Sequence, residues 1–579
     1  MDKRVHYYSL LILSIVIASS LYLSWTTDRG LGDLTIERHI IEREPGRTVD
    51  FMIYSPKEPN YEGPLPLVLT THGIAGSKEG MYSFNIELAR RNFTVVSVDL
   101  PGHGDSLLSF ELDDFENMAL DCLAAVEFVQ ERENVDDSEY GVLTHSMGFQ
   151  VSIALSHMAN APSTYAAVGA VADMGLGNEI QYPGNLLIAL GEYDEMISTQ
   201  EALEAIRTAT GNESAEAGIT YGSFENGTAY KLALAPTDHV FAAIDGEIVR
   251  AATTWLVRGV QGEEKLQYTR NPADQVFVYK VIAMATGVFG LLVSTIPLLA
   301  IIGPPLGGRP SGEESDEAPA STRDSLIISA IIGAVIIIIF GATSYATFIL
   351  ESVGLYWPNS MFATGMALFF IIATLGILLG FRLGLGKEGL RLVFRRAGLY
   401  RELPQMIEDL AKGVVVALIV IGWLVGWMAL GGLPSQMEPW IVFSMVRYPV
   451  GMRFTNIIIL AVLAIPFFVA DTAWTKGLLF VDRNWNGKSF SKKILFSVAA
   501  RLAVSAVAAG VMVVATTALG YIAGSMVLLG LLLMLFIIIS ALTTIVITFS
   551  AEYIRNPWPA ILISSFILAW VVISAIPLI

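Results

Sequence analysis

Hydrophobic positions along this chain follow two different rhythms. Nine stretches are apolar almost without interruption, at 7–25, 276–302, 326–350, 361–381, 413–432, 455–474, 494–519, 521–549 and 557–578. Each is long enough to cross a bilayer as a helix, which needs about 20 apolar residues. Between the first and the second, from Leu65 onward, the apolar runs are short, β-branched and interleaved with amphipathic helical stretches. That alternation predicts a mostly parallel sheet flanked by helices. The predicted strands are 66–71, 93–99, 140–144, 165–171, 185–190 and 228–234.

The first apolar stretch follows Lys3 and Arg4, and no clean small-x-small cleavage site precedes Asp28. A signal peptide and an uncleaved anchor both fit; the anchor is preferred because further spans follow. Orientation can be read from the basic loops, which favour the cytoplasmic side. With the N-terminus inside, two basic loops fall inside: 383–412, with Lys387, Arg391, Arg395, Arg396 and Arg401, and 475–493, with Lys476, Arg483, Lys488, Lys492 and Lys493. The loops then assigned outside are poor in charge: 351–360 has no basic residue and 433–454 only Arg447 and Arg453. The expectation is a multi-pass integral membrane protein with a cytoplasmic N-terminus and residues 26–275 on the extracytoplasmic face. Glycosylation sequons at Asn92, Asn212 and Asn226 are compatible with that side.

Residues 303–325 are rich in Pro, Gly, Ser and acid and lack apolar periodicity, which predicts a disordered cytoplasmic linker. The domain plan is therefore an anchor at 1–26, an extracytoplasmic α/β domain at 27–270, a span at 271–302, the linker at 303–325, and an all-α transmembrane bundle of about seven helices at 326–579. Within the bundle, Asp471 and Arg501 map to the same side of neighbouring spans and are expected to pair. The segment 436–446 (QMEPWIVFSMV) is apolar enough to lie in the outer interface.

Composition sharpens this plan. Hydrophobic residues make up 53% and charged residues 16%, with a mean hydropathy of +0.57, too apolar for an ordinary soluble protein. The net charge of -18 is uneven: residues 26–275 hold 39 acidic against 15 basic side chains, and the rest of the chain beyond them 14 against 19. An acidic domain argues against nucleic acid, whose phosphates need clustered Lys and Arg; protein partners are left open. The single cysteine, Cys122, excludes an internal disulfide, and its place in the apolar run 118–129 predicts a core thiol. All seven histidines precede residue 240 and no HExxH occurs, which argues against a metal centre; no cofactor is expected.

Residues just past the strands carry the candidate chemistry, because ligands of such sheets bind at the carboxyl ends of the strands. The strand 140–144 runs into Thr144, His145, Ser146, Met147 and Gly148 and then a helical stretch. This is a GxSxG elbow with Thr in place of the first Gly, a turn that lifts the serine hydroxyl out of the sheet. A serine needs an imidazole to take its proton and a carboxylate to orient the imidazole, in chain order Ser, acid, His. The strand 185–190 leads to Gly191, Glu192, Tyr193 and Asp194, and the strand 228–234 to Asp238 and His239. Asp194 and His239 are the expected partners of Ser146; Glu192 and Asp238 are rivals for the acid. An oxyanion needs donors, and the loop His72, Gly73, Ile74, Ala75, Gly76 after strand 66–71 can supply one. The amides of Ile74 and Met147 are assigned to that hole, with His72, Gly73 and Gly148 in support. His72 is expected to brace its loop, His103 to structure the PGHG turn, and His145 to pack beside the serine.

With these motifs in view, HGIAGS (72–77), DLPGHGDS (99–106), THSMG (144–148), GEYD (191–194) and DHVF (238–241), the stretch from about Leu65 to Val257 resembles α/β-hydrolases of the monoacylglycerol lipase and serine aminopeptidase-like group. The resemblance implies acyl transfer through an acyl-Ser146, with His239 as base and then acid. Only about a dozen residues, 173–184, separate two strands where members acting on large lipids carry a cap, so a large lid is not expected. Two functions stand. One is a membrane-anchored serine hydrolase acting on an ester, thioester or amide, on a small-molecule or lipid-like acyl substrate at the bilayer. The other is a membrane transporter or scaffold whose hydrolase-like domain binds a ligand or partner without turnover.

Overall fold

Six predicted strands become the middle of a nine-stranded sheet with the order β1-β2-β4-β3-β5-β6-β7-β9-β8. The computed structural model describes residues 3–61, 63–171, 182–267, 269–306, 319–360, 362–433, 438, 447–449, 451–479, 491–503 and 539–579. The strands are β1 (Leu34–Glu44), β2 (Arg47–Pro56), β3 (Leu65–Thr71), β4 (Thr94–Val98), β5 (Val135–His145), β6 (Thr164–Val168), β7 (Leu186–Gly191), β8 (Thr220–Tyr221) and β9 (Tyr230–Ala235). β3, β4, β5, β6, β7 and β9 run parallel, and every residue of β3 and β4 is buried. Burial on both faces is what a parallel sheet covered by helices demands, and it explains the unbroken apolar runs of LPLVLTT and TVVSV.

Two longer strands escape the apolar pattern. β1 and β2 form an antiparallel hairpin, and β2 pairs antiparallel with β4. β1 reads LTIERHIIERE, with exposed or half-exposed positions along nearly its whole length. Charge on an edge strand keeps it from pairing with other chains. Two cations of the hairpin are spent on the covering helix α3 (Phe115–Gln130): Arg47 lies 2.7 Å and Arg43 3.3 Å from the Asp121 carboxylate. Cys122, on the same helix, is fully buried, and burial pushes its thiol well above the usual value.

The chain divides into two compact units. The sheet's unit comprises Ala18–Gly287 and also takes in Leu430–Arg447 and Ala575–Ile579, two segments from the apolar C-terminal half. The other unit comprises Met1–Ile17, Val288–Ala429 and Tyr448–Ser574.

Among the described residues seven helices are long and apolar enough to cross a membrane: Lys3–Asp28, Val278–Leu306, Arg323–Glu351, Ala363–Arg396, Leu403–Gly432, Gly451–Leu478 and Trp558–Ala575. The stretches 494–519 and 521–549 fall largely on 504–538, outside the described residues, as do most of the 303–325 linker, the 173–184 connection and the apolar segment 436–446. Helix Val278–Leu306 runs on to Leu306 with Pro297, Pro304 and Pro305 inside it. In the second unit, Gly376, Gly380 and Gly384 of helix Ala363–Arg396 form a small-residue stripe against helix Thr322–Ser352. A Cβ at these positions would come within 2.9, 2.7 and 2.9 Å of Ile339, Ile332 and Ile328, so the glycines let two helix backbones approach closely. Arg501 pairs with Asp471 and stacks on Trp474, as a cation over a ring face, 4.9 Å from its centroid.

Candidate active site

Strand β5 ends at His145, and helix α4 (Gly148–Ser156) begins three residues later. Ser146 makes that turn alone, in the left-handed region with φ 52°. Thr144 stays in the ladder, paired with Thr71 on one side and Ala167 on the other, which is why a β-branched residue serves where the pattern has glycine. The turn is crowded. A Cβ on Gly73 would meet Ser146 Cβ at 2.8 Å, and one on Gly148 would meet Thr71 Oγ1 at 2.7 Å and the His72 carbonyl at 2.8 Å.

The structure brings Ser146, His239 and Asp194 into one hydrogen-bonded line. His239 Nε2 is 3.0 Å from Ser146 Oγ, and His239 Nδ1 is 2.9 Å from Asp194 Oδ2. Asp194 Oδ1 accepts from the amides of Met196 and Ile197, both at 2.9 Å, which fixes the carboxylate from its far side. Ser146 and His239 are each 6% exposed. Of the rival acids, Glu192 is exposed and Asp238 accepts from the Phe241 amide at 2.7 Å, capping a short helical turn. The sequence reading missed Glu195, whose Oε2 accepts the His239 amide at 3.1 Å and holds the loop that carries the imidazole. A lone glutamate on an exposed turn gave no signal of that contact.

Ile74 lies in a turn closed by the Gly76 amide donating to the Gly73 carbonyl at 3.0 Å. Met147 caps helix α4, whose N-terminal end carries the positive pole of the helix dipole. Among the described residues neither the Ile74 nor the Met147 amide donates to a backbone carbonyl. His72 braces the first of these loops: its Nδ1 donates to the Gly73 carbonyl at 2.8 Å, and its Nε2 accepts the Leu100 amide at 3.1 Å. That pair of bonds requires the neutral imidazole, and burial pushes His72 down to about 4. His145 is pushed down to about 4 as well, by burial and then by the nearby His239. Its Nε2 sits 3.3 Å from the His239 carbonyl. His103 donates from Nδ1 to the Pro101 carbonyl, 2.8 Å away, and packs between His72 and Phe110.

Beneath the Ile74 turn lies a buried charge cluster. Lys78 Nζ is 2.5 Å from Asp99, 2.8 Å from Asp105, 3.2 Å from Asp50 and 3.4 Å from Glu79. Asp50, Asp99 and Asp105 have the spacing of a metal-binding group, but the ammonium of Lys78 occupies the place an ion would take. Burial would raise Asp105; Lys78, Arg447 and Arg38 outweigh it and hold the carboxyl well below the usual range. Burial raises Glu79, which has no hydrogen-bond partner within reach.

Residues 63–183 match the family model described as serine aminopeptidase, S33. The dihydrolipoyllysine-residue acetyltransferase component of the acetoin cleaving system of Pseudomonas putida is 31% identical over 119 residues, 21% of this chain and 30% of that protein. The chain thus spans less than a third of the length of this curated relative. Similar solved structures include a cold-adapted esterase from an Arctic intertidal metagenomic library, 20% identical over 39% of this chain and 95% of its own, with a TM-score of 0.30. A Pyrococcus furiosus esterase is 16% identical over 40% of this chain and 95% of its own, with a TM-score of 0.31. A bacterial heroin esterase is 15% identical over 45% and 93%, with a TM-score of 0.30. With its parallel sheet, its serine turn between β5 and α4 and the family match over 63–183, the sheet-bearing part of this chain has the α/β-hydrolase fold.

Proposed function

We propose that this chain is a membrane-anchored serine hydrolase that cleaves an ester, thioester or amide through an acyl-Ser146 intermediate. The observation that carries this reading is the line Asp194, His239, Ser146, with contacts of 2.9 and 3.0 Å. Ser146 Oγ attacks the substrate carbonyl as His239 Nε2 takes its proton, and Asp194 holds the imidazole in the tautomer that can accept it. The carbonyl oxygen, now an anion, falls to the amides of Ile74 and Met147. His239 returns the proton to the leaving group as the C–O, C–S or C–N bond breaks. Water then repeats the sequence, frees the acid and regenerates the Ser146 hydroxyl.

An apolar or amphiphilic acyl group suits the loops around this line, which expose Leu107, Leu112, Tyr193 and Phe241 to solvent. Exposed large side chains on loops past the sheet's strands favour an apolar ligand over a charged one. The distribution of basic loops supports an extracytoplasmic hydrolase domain with the N-terminus in the cytoplasm.

The test is labelling of the full chain in detergent with a fluorophosphonate, which reacts with an activated serine. Wild type is expected to label, and Ser146→Ala and His239→Ala to stay dark. A folded but unlabelled wild type would overturn the hydrolase reading in favour of a transporter or scaffold that binds without turnover.

A further inference from the structure

Two returns of chain from the apolar C-terminal half end on segments next to the Ile74 turn, at Glu79 and at 102–110. The first is Arg447, between helices Leu403–Gly432 and Gly451–Thr472. It is 2% exposed, with its guanidinium 3.1 Å from Asp105 and 3.6 Å from Glu79. Asp105 passes that charge on, since its other carboxylate oxygen faces Lys78 at 2.8 Å and Arg38 at 3.0 Å. Asp99 then ties the two loops together: it accepts the Lys78 amide on one oxygen and the Asp105 amide on the other, both at 2.7 Å. The second return is Leu578. Its amide donates to the Gly102 carbonyl at 2.8 Å and its carbonyl accepts the Phe110 amide at 2.9 Å. Gly102, with φ 71°, admits that approach only because it lacks a side chain; a Cβ there would lie 2.4 Å from the Leu578 carbonyl oxygen.

Both returns lead to His72. Leu578 holds the loop whose Leu100 amide donates to His72, and whose His103 and Phe110 rings follow beside it, tilted and then edge-to-face, with centroids 5.0 and 4.9 Å apart. Arg447 holds the loop from Lys78 backward to the Gly73–Gly76 turn. We infer that Arg447 and Leu578 are positioning residues for the oxyanion-binding Ile74 amide, so that the apolar C-terminal half completes the hydrolase site as well as anchoring it. This rests on the hydrolase reading above. It gives the extra spans a task that a single anchor could not perform, because the chain that reaches these loops at residues 447 and 578 follows the later apolar helices.

A misplaced oxyanion donor weakens the transition state more than the bound substrate, so the effect should appear in kcat. The experiment uses the full chain in detergent, with active sites counted by exhaustive fluorophosphonate titration and turnover of a short-chain p-nitrophenyl ester measured per titrated site. For Arg447→Gln we expect kcat per site to fall by about 10- to 100-fold with KM within about twofold, and Arg447→Lys to recover most of the loss. Leu578→Pro, which removes the amide that donates to Gly102, should act in the same direction by a separate route. A purely structural role predicts something else: fewer titratable sites, each turning over at the wild-type rate. That outcome in either folded variant overturns the inference while leaving the hydrolase reading intact. If Arg447→Gln does not fold, Leu578→Pro alone decides. A wild type that takes no label removes both readings together.

Discussion

The neutral imidazole of His72 holds a backbone amide that a charged one could not, and His145 is kept neutral by burial and by the nearby His239. His72 donates through one nitrogen and accepts through the other, and protonation would abolish the acceptor. Both residues are pushed from 6.5 to about 4 in the folded chain. Below pH 6.5 the unfolded state therefore binds protons that the folded state refuses, and stability declines as pH falls, until both states are protonated near pH 4. The loss is on the order of 3 kcal/mol per histidine across that window. Asp99 and Asp105 have depressed values, so their contribution is lost only below the ordinary carboxylate range. The unfolding midpoint of the full chain should thus drop between pH 6.5 and 4.5, and His72→Gln, which keeps a donor and an acceptor, should show a shallower drop. A slope that His72→Gln leaves unchanged would contradict the assignment of a neutral, buried imidazole at that position.

At the scale of elements, the sequence was legible wherever burial imposes a period. β3, β4, β6, β7 and the second half of β5 are apolar runs because both faces are covered, and the proximity of Ser146, Asp194 and His239 follows from their places past the ends of parallel strands. β1 and β2 were not legible: β1 carries Glu37, Arg38, Glu42, Arg43 and Glu44 among its apolar residues, and in β2 the short run 51–54 follows Arg47 and Asp50, so neither shows the unbroken apolar run of the central strands. Arg447 was invisible for another reason: a lone arginine in a loop shows nothing of carboxylates more than 300 positions away in sequence, such as Asp105. The glycine stripe of helix Ala363–Arg396 was likewise hidden inside a uniformly apolar span. It yields a direct prediction. Gly380→Leu, placed against Ile332, should destabilise the chain by about 1–3 kcal/mol, seen as a lower unfolding midpoint. Gly422→Ala, where an added Cβ meets nothing within 4 Å, should be neutral or slightly stabilising. Equal effects of the two would mean that the helix pair does not pack on this stripe.

The whole molecule joins an acidic α/β-hydrolase fold to at least seven helices of spanning length and composition. The proposed orientation can be tested in intact cells with cysteines on exposed side chains, in a background where the single native thiol, buried Cys122, is replaced by alanine. The thiol of Glu263→Cys, at a position 70% exposed, should react with an impermeant maleimide from outside; that of Glu388→Cys, at a position 82% exposed, should react only after permeabilisation. The reverse pattern would invert the topology.

The pairing of Leu578 with Gly102 and Phe110 also bears on the timing of biosynthesis. The last long strand of the sheet ends at Ala235 and the returning segment begins at Ala575, so 575 − 235 = 340 residues must be translated between them. At roughly 5–20 residues per second this takes about 17–68 s. Through that interval the nascent sheet has its nucleophile and base but lacks the strand partner of its 102–110 loop. If the clamp acts as inferred, full turnover at Ser146 waits until residue 578 has been made, long after the serine and its base are in place.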